Sequence, residues 1–105
     1  MKQGDPRWEL LILESERDTL TSLPDDDRER LTAAIWDCAM MRDITDHPAV
    51  EPLKDSDLYR AKAGDYRAIM GLVKPTLAVV LVGHRKNVYD NLNTAAKRVE
   101  SFRSA

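Results

Sequence analysis

Residues 58–72 read LYRAKAGDYRAIMGL, and this stretch predicts the β-hairpin that decides the fold. Side chains of a strand alternate between its two faces, so Arg60 and Lys62 are expected on the same face. The Gly-Asp pair at residues 64–65 suits a two-residue turn with glycine first, and the returning strand carries Arg67 near its start. We therefore expect the hairpin to gather cations on one small patch of sheet.

A second stretch, residues 79–89, reads VVLVGHRKNVY and predicts an apolar strand that ends at His84. Arg85, Lys86 and Tyr89 follow at the exit of this strand. A small sheet that places cations beside a tyrosine, without a carboxylate pair or a metal cluster, suits a phosphate-rich ligand such as RNA. The plainer alternative is that these cations occupy the solvent face of an antiparallel strand.

The segments around the hairpin predict a meander of three strands, at about residues 58–63, 66–72 and 76–84. The tripeptide at 73–75, Val-Lys-Pro, closes the second turn of this meander. Before it, the Pro-containing segment at 47–52 predicts a loop.

The N-terminal half predicts a strand followed by a helical hairpin. The near-continuous apolar run from Trp8 to Glu14 favours a strand covered on both faces. Ser15 has the position of a helix cap, for a short helix to about Leu23. Three aspartates at residues 25–27 favour the start of a second helix, which helical spacing carries to about Asp43.

Apolar residues return at helical spacing after Asn87 and predict an amphipathic C-terminal helix. They are Val88, Leu92, Ala95, Val99 and Phe102. The order of elements implies an α+β fold, in which an initial strand and a helical hairpin pack on a curved, mostly antiparallel sheet.

Length and charge limit the function. The 105 residues are expected to form a single domain, residues 1–105, and the net charge is −2. Residues 1–57 carry 7 Lys and Arg against 15 Asp and Glu, whereas residues 58–105 carry 9 against 3. Because the field depends on where charge lies, the basic half can attract phosphate despite the acidic total. Charge reversal at Lys62 or Arg67 is thus expected to weaken RNA binding more than reversal at Arg28 or Arg30.

Other features favour a cytoplasmic protein without a cofactor. No apolar run approaches the roughly 20 residues that span a bilayer, and the N-terminus lacks an apolar signal core. Cys38 is the single cysteine and follows an apolar helical stripe, so we expect it in the core. His47 precedes a proline and is expected to be structural or solvent-facing, and the sequence offers too few ligands for a metal site.

These segments together resemble the RelE/ParE superfamily of toxins from toxin–antitoxin pairs, and the RelE branch in particular. The resemblance covers most of the chain and depends on the register of several short pieces. They are Leu53-Lys54, Leu58-Tyr59-Arg60, Gly64-Asp65-Tyr66-Arg67, and Val82-Gly83-His84-Arg85 with Tyr89.

The resemblance implies a small RelE-like fold and a metal-independent endoribonuclease that cleaves mRNA in the ribosomal A site and so inhibits translation. Its partners would be the ribosome, the message and a cognate antitoxin. The matching catalytic positions are Arg60, Lys62, Arg67, Arg85 and Tyr89. His84 is added as an acid or base, with a hydrogen-bonded structural role as the alternative, and Lys86 joins Arg60, Lys62 and Arg67 as a substrate-binding cation.

Two alternatives remain open. A ParE-like protein would inhibit DNA gyrase by binding it, and a degenerate homologue would retain only antitoxin binding. Arg60 stands where the pattern has lysine, and an arginine does not lose its proton near neutral pH, so Arg60 cannot be the general base. Lys62 could be the base only if burial and neighbouring cations lower its pKa.

Overall fold

The computed structural model describes residues 7–54 and 56–104, which form an α+β fold as the sequence predicts. The helices and strands, in chain order, are β1 (Glu9–Ile12), α1 (Glu14–Thr21), α2 (Asp25–Met40), β2 (Val50–Pro52), β3 (Leu58–Ala63), β4 (Tyr66–Val73), β5 (Thr76–His84), α3 (Arg85–Val88) and α4 (Leu92–Ser104). Single 3-10 turns at Ile44–Asp46 and Tyr89–Asn91 precede β2 and α4.

The sheet has five strands in the order β1-β5-β4-β3-β2. Its centre is the predicted antiparallel meander, and the bounds of β3 and β5 agree with the sequence prediction. The β3–β4 turn places Gly64 at a φ of 58°, in the left-handed region that glycine enters without steric cost. β1 adds a parallel pairing with β5, so the sheet is mixed.

Each face of the sheet carries its own core. Helices α1 and α2 cover one face, where Leu31, Ile35 and Cys38 are fully buried, as predicted for Cys38. Helix α4 packs on β4 and β5 on the opposite face. There a Cβ added to Gly71 would lie 2.5 Å from a methyl group of Val99, so glycine is what permits this close approach.

The first strand differs from its prediction. It spans only Glu9–Ile12, and the expectation that it is covered on both faces is wrong, since Glu9 is exposed and Leu11 is 39% exposed. The reason is its position: β1 is an edge strand, and α4 packs on β4 and β5 instead of extending over it. The leucine-rich run concealed the alternation of an edge strand.

The start of α1 and the end of α2 also differ from the prediction. Helix α1 follows Leu13 without a side-chain cap, and the hydroxyl of Ser15 instead donates to the carboxylate of Glu16. Helix α2 ends at Met40, short of the predicted Asp43, because Met41 is extended; Trp8 caps this end, where its backbone N–H donates to the carbonyl of Ala39 and its indole Nε1 to that of Met41. These bonds satisfy helix-end acceptors that have no partner within the helix.

The segment predicted as a loop contains β2. Val50–Pro52 pairs antiparallel with β3, which places Glu51 opposite Arg60. The proline is tolerated because β2 lies at the edge of the sheet. This short strand brings a carboxylate to the candidate cations.

Candidate functional site

Alternation along the β3–β4 hairpin sets the direction of the candidate cations. Ala61 and Ala63 pack against the core beneath α1 and α2, so the intervening Lys62, like Arg60, belongs to the opposite face. Arg67 is the register partner of Lys62 on β4 and shares that face. We call Arg60, Lys62 and Arg67 the basic face.

Arg60 makes the most specific contacts of this group. Its Nη2 donates to Oε2 of Glu51 at 2.6 Å, and its Nη1 donates to the hydroxyl oxygen of Tyr89 at 2.9 Å. The hydroxyl and the carboxylate hold the pKa of Arg60 above its ordinary value, so the guanidinium stays charged. One arginine thus joins β2, β3 and the turn that follows α3.

Glu51 is the site residue that the sequence did not reveal. The hydrogen bond from Arg60, the charge of Arg60 and that of Lys62 hold the pKa of Glu51 below its ordinary value of 4.5. It is therefore a carboxylate at neutral pH. A strand of three residues that ends in proline is too short for its alternation to be recognised, and the pairing with β3 is what would have pointed to Glu51.

Arg67 and Arg85 are both held at the β3–β4 turn. Nη1 of Arg67 donates to the carbonyl oxygens of Gly64 (2.9 Å) and Tyr66 (2.8 Å), while its Nε is buried without a hydrogen-bond partner in the described chain. Nε of Arg85 lies 3.4 Å from a carboxylate oxygen of Asp65. Half of the Arg85 side chain is exposed, so it can reach a ligand from outside the turn.

His84 makes structural contacts, as one of the two alternatives for this residue predicts. Its Nδ1 accepts a hydrogen bond from the backbone N–H of Lys86 at 3.1 Å, which caps α3. Its ring meets that of Tyr66 edge-on, with 5.4 Å between centroids. Since Nδ1 is an acceptor, Nε2 carries the proton of the neutral ring. Lys86 is exposed on the first turn of α3.

Tyr89 begins the 3-10 turn before α4 and packs against the core on the α4 face. Its hydroxyl oxygen accepts from Arg60, so its own proton remains free to be donated to a further group. The guanidinium carbon of Arg60 lies 6.0 Å from the centre of its ring.

The candidate residues therefore fall at one end of the sheet, where β3 ends, β4 begins and β5 ends. Arg60 and Tyr89 are in direct contact, and Lys62 and Arg67 are cross-strand neighbours. Arg85 is linked to this end of the sheet by its contact with Asp65 in the β3–β4 turn, while Nδ1 of His84 is occupied as a helix cap.

Other kinds of site find little support in the described ranges, 7–54 and 56–104. They contain no group of three or more His, Cys, Asp and Glu residues placed to hold a metal ion. Burial raises the pKa of the Cys38 thiol to about 11, so it is protonated and a poor nucleophile. His47 is structural, as predicted, since its Nδ1 accepts from the backbone N–H of Ala49. None of the helices in these ranges is long and apolar enough to cross a membrane.

Comparisons with known proteins identify the fold. No protein-family model matches the chain, and no curated protein sequence matches it. Among solved structures, a double mutant of the Escherichia coli RelE toxin in the free state superposes with a TM-score of 0.68 at 20% identity, covering 89% of this chain and 98% of the toxin.

Two complexes give further matches. The RelB–RelE antitoxin–toxin complex of Methanococcus jannaschii superposes with a TM-score of 0.62 at 24% identity, covering 76% of this chain and 95% of the other. The RelBE2 complex of Mycobacterium tuberculosis gives 0.58 at 17%, covering 80% and 98%. The chain has the fold of RelE toxins, which confirms the fold predicted from the sequence.

Proposed function

We propose that the chain is the toxin of a toxin–antitoxin pair and a metal-independent endoribonuclease that cleaves ribosome-bound mRNA in the cytoplasm. The observation that carries the proposal is Arg60, which bridges the Glu51 carboxylate and the Tyr89 hydroxyl on the face that also carries Lys62 and Arg67. A carboxylate, a phenol and several cations, which are the kinds of group that RNA cleavage needs, thus lie together.

The proposed reaction is attack of the ribose 2′-oxygen on the adjacent phosphorus. The 2′-hydroxyl proton passes to a base, the P–O5′ bond breaks, and the leaving 5′-oxygen takes a proton from an acid. The products are a 2′,3′-cyclic phosphate and a 5′-hydroxyl. Negative charge builds on the phosphorane oxygens, and preorganised cations stabilise it most effectively.

The geometry supports a role for each group. Arg60 and Arg67 keep their charge and bind phosphate oxygens through their planar guanidinium groups. Glu51 is charged and is the carboxylate nearest to Arg60, so it is our choice of base. A bound phosphate would compete with Glu51 for Arg60 and would make the carboxylate a stronger proton acceptor. Tyr89 has a free proton for the leaving oxygen.

Arg85, Lys86 and Lys62 complete the proposed substrate contacts. Lys86 is exposed at the start of α3 and would hold a flanking phosphate, as would Lys62 on β3, whereas the half-exposed Arg85 would reach the reacting phosphate itself from outside the turn. We keep His84 as a candidate acid through Nε2, the ring nitrogen that the cap leaves free. The proposed partners are the message, the ribosome and a cognate antitoxin; the RelB–RelE complexes among the structural neighbours support the antitoxin.

The test is a purified translation mixture to which the protein is added. A message cut while ribosomes occupy it supports the nuclease, and cyclic phosphate ends support the proposed chemistry. Intact message together with inhibited gyrase supercoiling would favour the ParE-like alternative. Intact message with normal supercoiling, in a protein that still binds its antitoxin, would indicate the degenerate homologue.

A further inference from the structure

An open cavity of about 600 Å³ lies at the edge of the sheet, between α2 and the β3–β4 hairpin. Arg30 of α2, His47 of the segment before β2, and Lys62 and Arg67 of the hairpin contribute its polar side chains. This size falls within the roughly 300–1,000 Å³ of ordinary ligand sites. We call it the edge cavity.

The edge cavity exists because β2 covers only part of β3. The last contact of that segment is the bond from the N–H of Lys62 to the carbonyl of Ala49, at 3.0 Å; beyond it, no described strand covers β3 on the side away from β4. Alanine and glycine residues form much of the remaining wall. His47 on the rim is fixed by the N–H of Ala49 and lies 3.4 Å from Asp37.

The charges in the edge cavity favour an anion. Arg30, Lys62 and Arg67 line it, and within residues 7–54 and 56–104 none of the three makes an ion pair. None of the lining residues is acidic, and two carboxylates contact lining residues: Asp37 lies beside His47, and Asp27 lies against Gly64. The three cations, which have no ion-pair partner in the described ranges, outnumber these two carboxylates, so a phosphate is a suitable ligand.

We propose that the edge cavity is a second phosphate subsite, which holds the RNA backbone at a linkage next to the one that is cut. The proposal rests on the proposed nuclease function and adds to it the path that the RNA strand follows across the protein. Its main support is continuity: Lys62 and Arg67 belong to both the basic face and the edge cavity. An RNA backbone bound at Arg60 can therefore continue over the edge of the β-sheet to Arg30.

Arg30→Ala tests this subsite, with Arg28→Ala as the matched control. Both residues are arginines of α2, but Arg28 is paired with Asp25 at 3.1 Å and does not line the cavity. Loss of one charged phosphate contact should raise KM for programmed ribosomes about tenfold and leave kcat unchanged. The slope of log affinity against log salt should become shallower by about 0.7, and Arg28→Ala should change neither quantity.

Messages that carry one uncharged methylphosphonate linkage show which phosphate of the RNA contacts Arg30. These messages also carry a 2′-deoxynucleotide at the cleaved position, so that binding is measured without reaction. The wild-type protein should lose affinity when one particular flanking linkage is neutralised, and Arg30→Ala should be insensitive at that linkage alone. Such coupling identifies the phosphate that Arg30 holds.

The outcomes separate the subsite from the nuclease. Wild-type cleavage with no linkage coupled to Arg30, or with equal effects of the two variants, overturns the subsite and leaves the nuclease intact. Absence of wild-type cleavage overturns both. Normal message binding by Arg30→Ala, with weakened antitoxin binding, would assign the cavity to an acidic protein segment and also overturn the subsite.

Discussion

Replacement of Arg60 by alanine should abolish most of the cleavage and leave the fold nearly as stable as before. Two contacts are lost, one with Glu51 at 2.6 Å and one with Tyr89 at 2.9 Å. The Arg60 side chain is 29% exposed and that of Glu51 50%, so solvent screens the ion pair. Exposed pairs contribute about 0.2–1 kcal/mol to the free energy of unfolding, and Tm should fall by no more than a few degrees.

The effect on catalysis should be much larger. Loss of one preorganised donor to the transition state costs about 2.7–4 kcal/mol, which corresponds to a 100- to 1,000-fold slower reaction. Arg60→Lys is the informative partner variant, because lysine keeps the charge but not the planar fork that reaches both the carboxylate and the hydroxyl. Its rate should lie between those of wild type and Arg60→Ala.

Single-turnover cleavage of ribosome-bound message, measured beside thermal unfolding, checks this expectation. A folded Arg60→Ala protein that cleaves at the wild-type rate would refute the role of Arg60. A rate loss that merely follows the fraction of unfolded protein would refute it as well. If Arg60→Lys equals the wild type, charge alone matters and the bridging geometry does not.

Four further outcomes are expected. Arg85→Ala should slow cleavage about 100- to 1,000-fold without unfolding the protein, and full cleavage would remove Arg85 from the site. Glu16→Ala should lower the free energy of unfolding by about 2–3 kcal/mol in denaturant titrations, because it leaves a buried N–H of Val82 without its acceptor. The stability contributed by the Arg60–Glu51 ion pair should be fully present above pH 4.5 and should be lost as the pH falls through the lowered pKa of Glu51. In thermal melts from about pH 6 to pH 3, Glu51→Gln should make the stability depend less on pH. If an antitoxin helix can displace the C-terminal helix, residues 88–102 should exchange amide hydrogens faster than the sheet in the free protein, with protection that changes on antitoxin binding; strong, equal protection in both states would exclude this exchange of helices.

The sequence predicted the β3–β4–β5 meander well because its signals are local. Period-two alternation and a Gly-Asp turn define strands without help from distant residues, and the bounds of β3 agree with the structure. Glu51 could not be found in this way, since β2 forms only through its pairing with β3. A carboxylate three residues after a His-Pro pair carries no local mark of its partner.

Arg30 shows the same limit for the edge cavity. By sequence it belongs to the acidic half, and charge reversal at Arg28 or Arg30 is predicted to weaken RNA binding far less than reversal at Lys62 or Arg67. The structure places it beside Lys62 and Arg67, whereas Arg28 pairs with Asp25. Helical spacing tells which side of α2 is apolar, but it does not tell which strand end comes to lie beside that helix.

Helix α4 contacts the part of β5 that continues past its pairing with β1, which ends at Val79. The register shift between Ile69 and Met70 leaves Val80 without a partner on β4. Arg98 of α4 donates from Nη1 to the carbonyl of Val80 at 2.7 Å and to the Glu16 carboxylate at 3.1 Å. Glu16 in turn accepts from the N–H of Val82 at 2.9 Å. Two side chains thus satisfy backbone groups that a neighbouring strand would otherwise bind.

This arrangement couples the sheet edge to the candidate site. Tyr89 lies in the turn directly before α4, so the docking of α4 also fixes the hydroxyl against Arg60. A partner that displaced α4 would withdraw Arg98 from Val80, and because the Tyr89–Asn91 turn leads directly into α4, we expect it to loosen the contact between Tyr89 and Arg60 as well. Because an open strand edge and a buried carboxylate are costly to leave unpaired, such a partner would have to supply a cation or a strand of its own to β5.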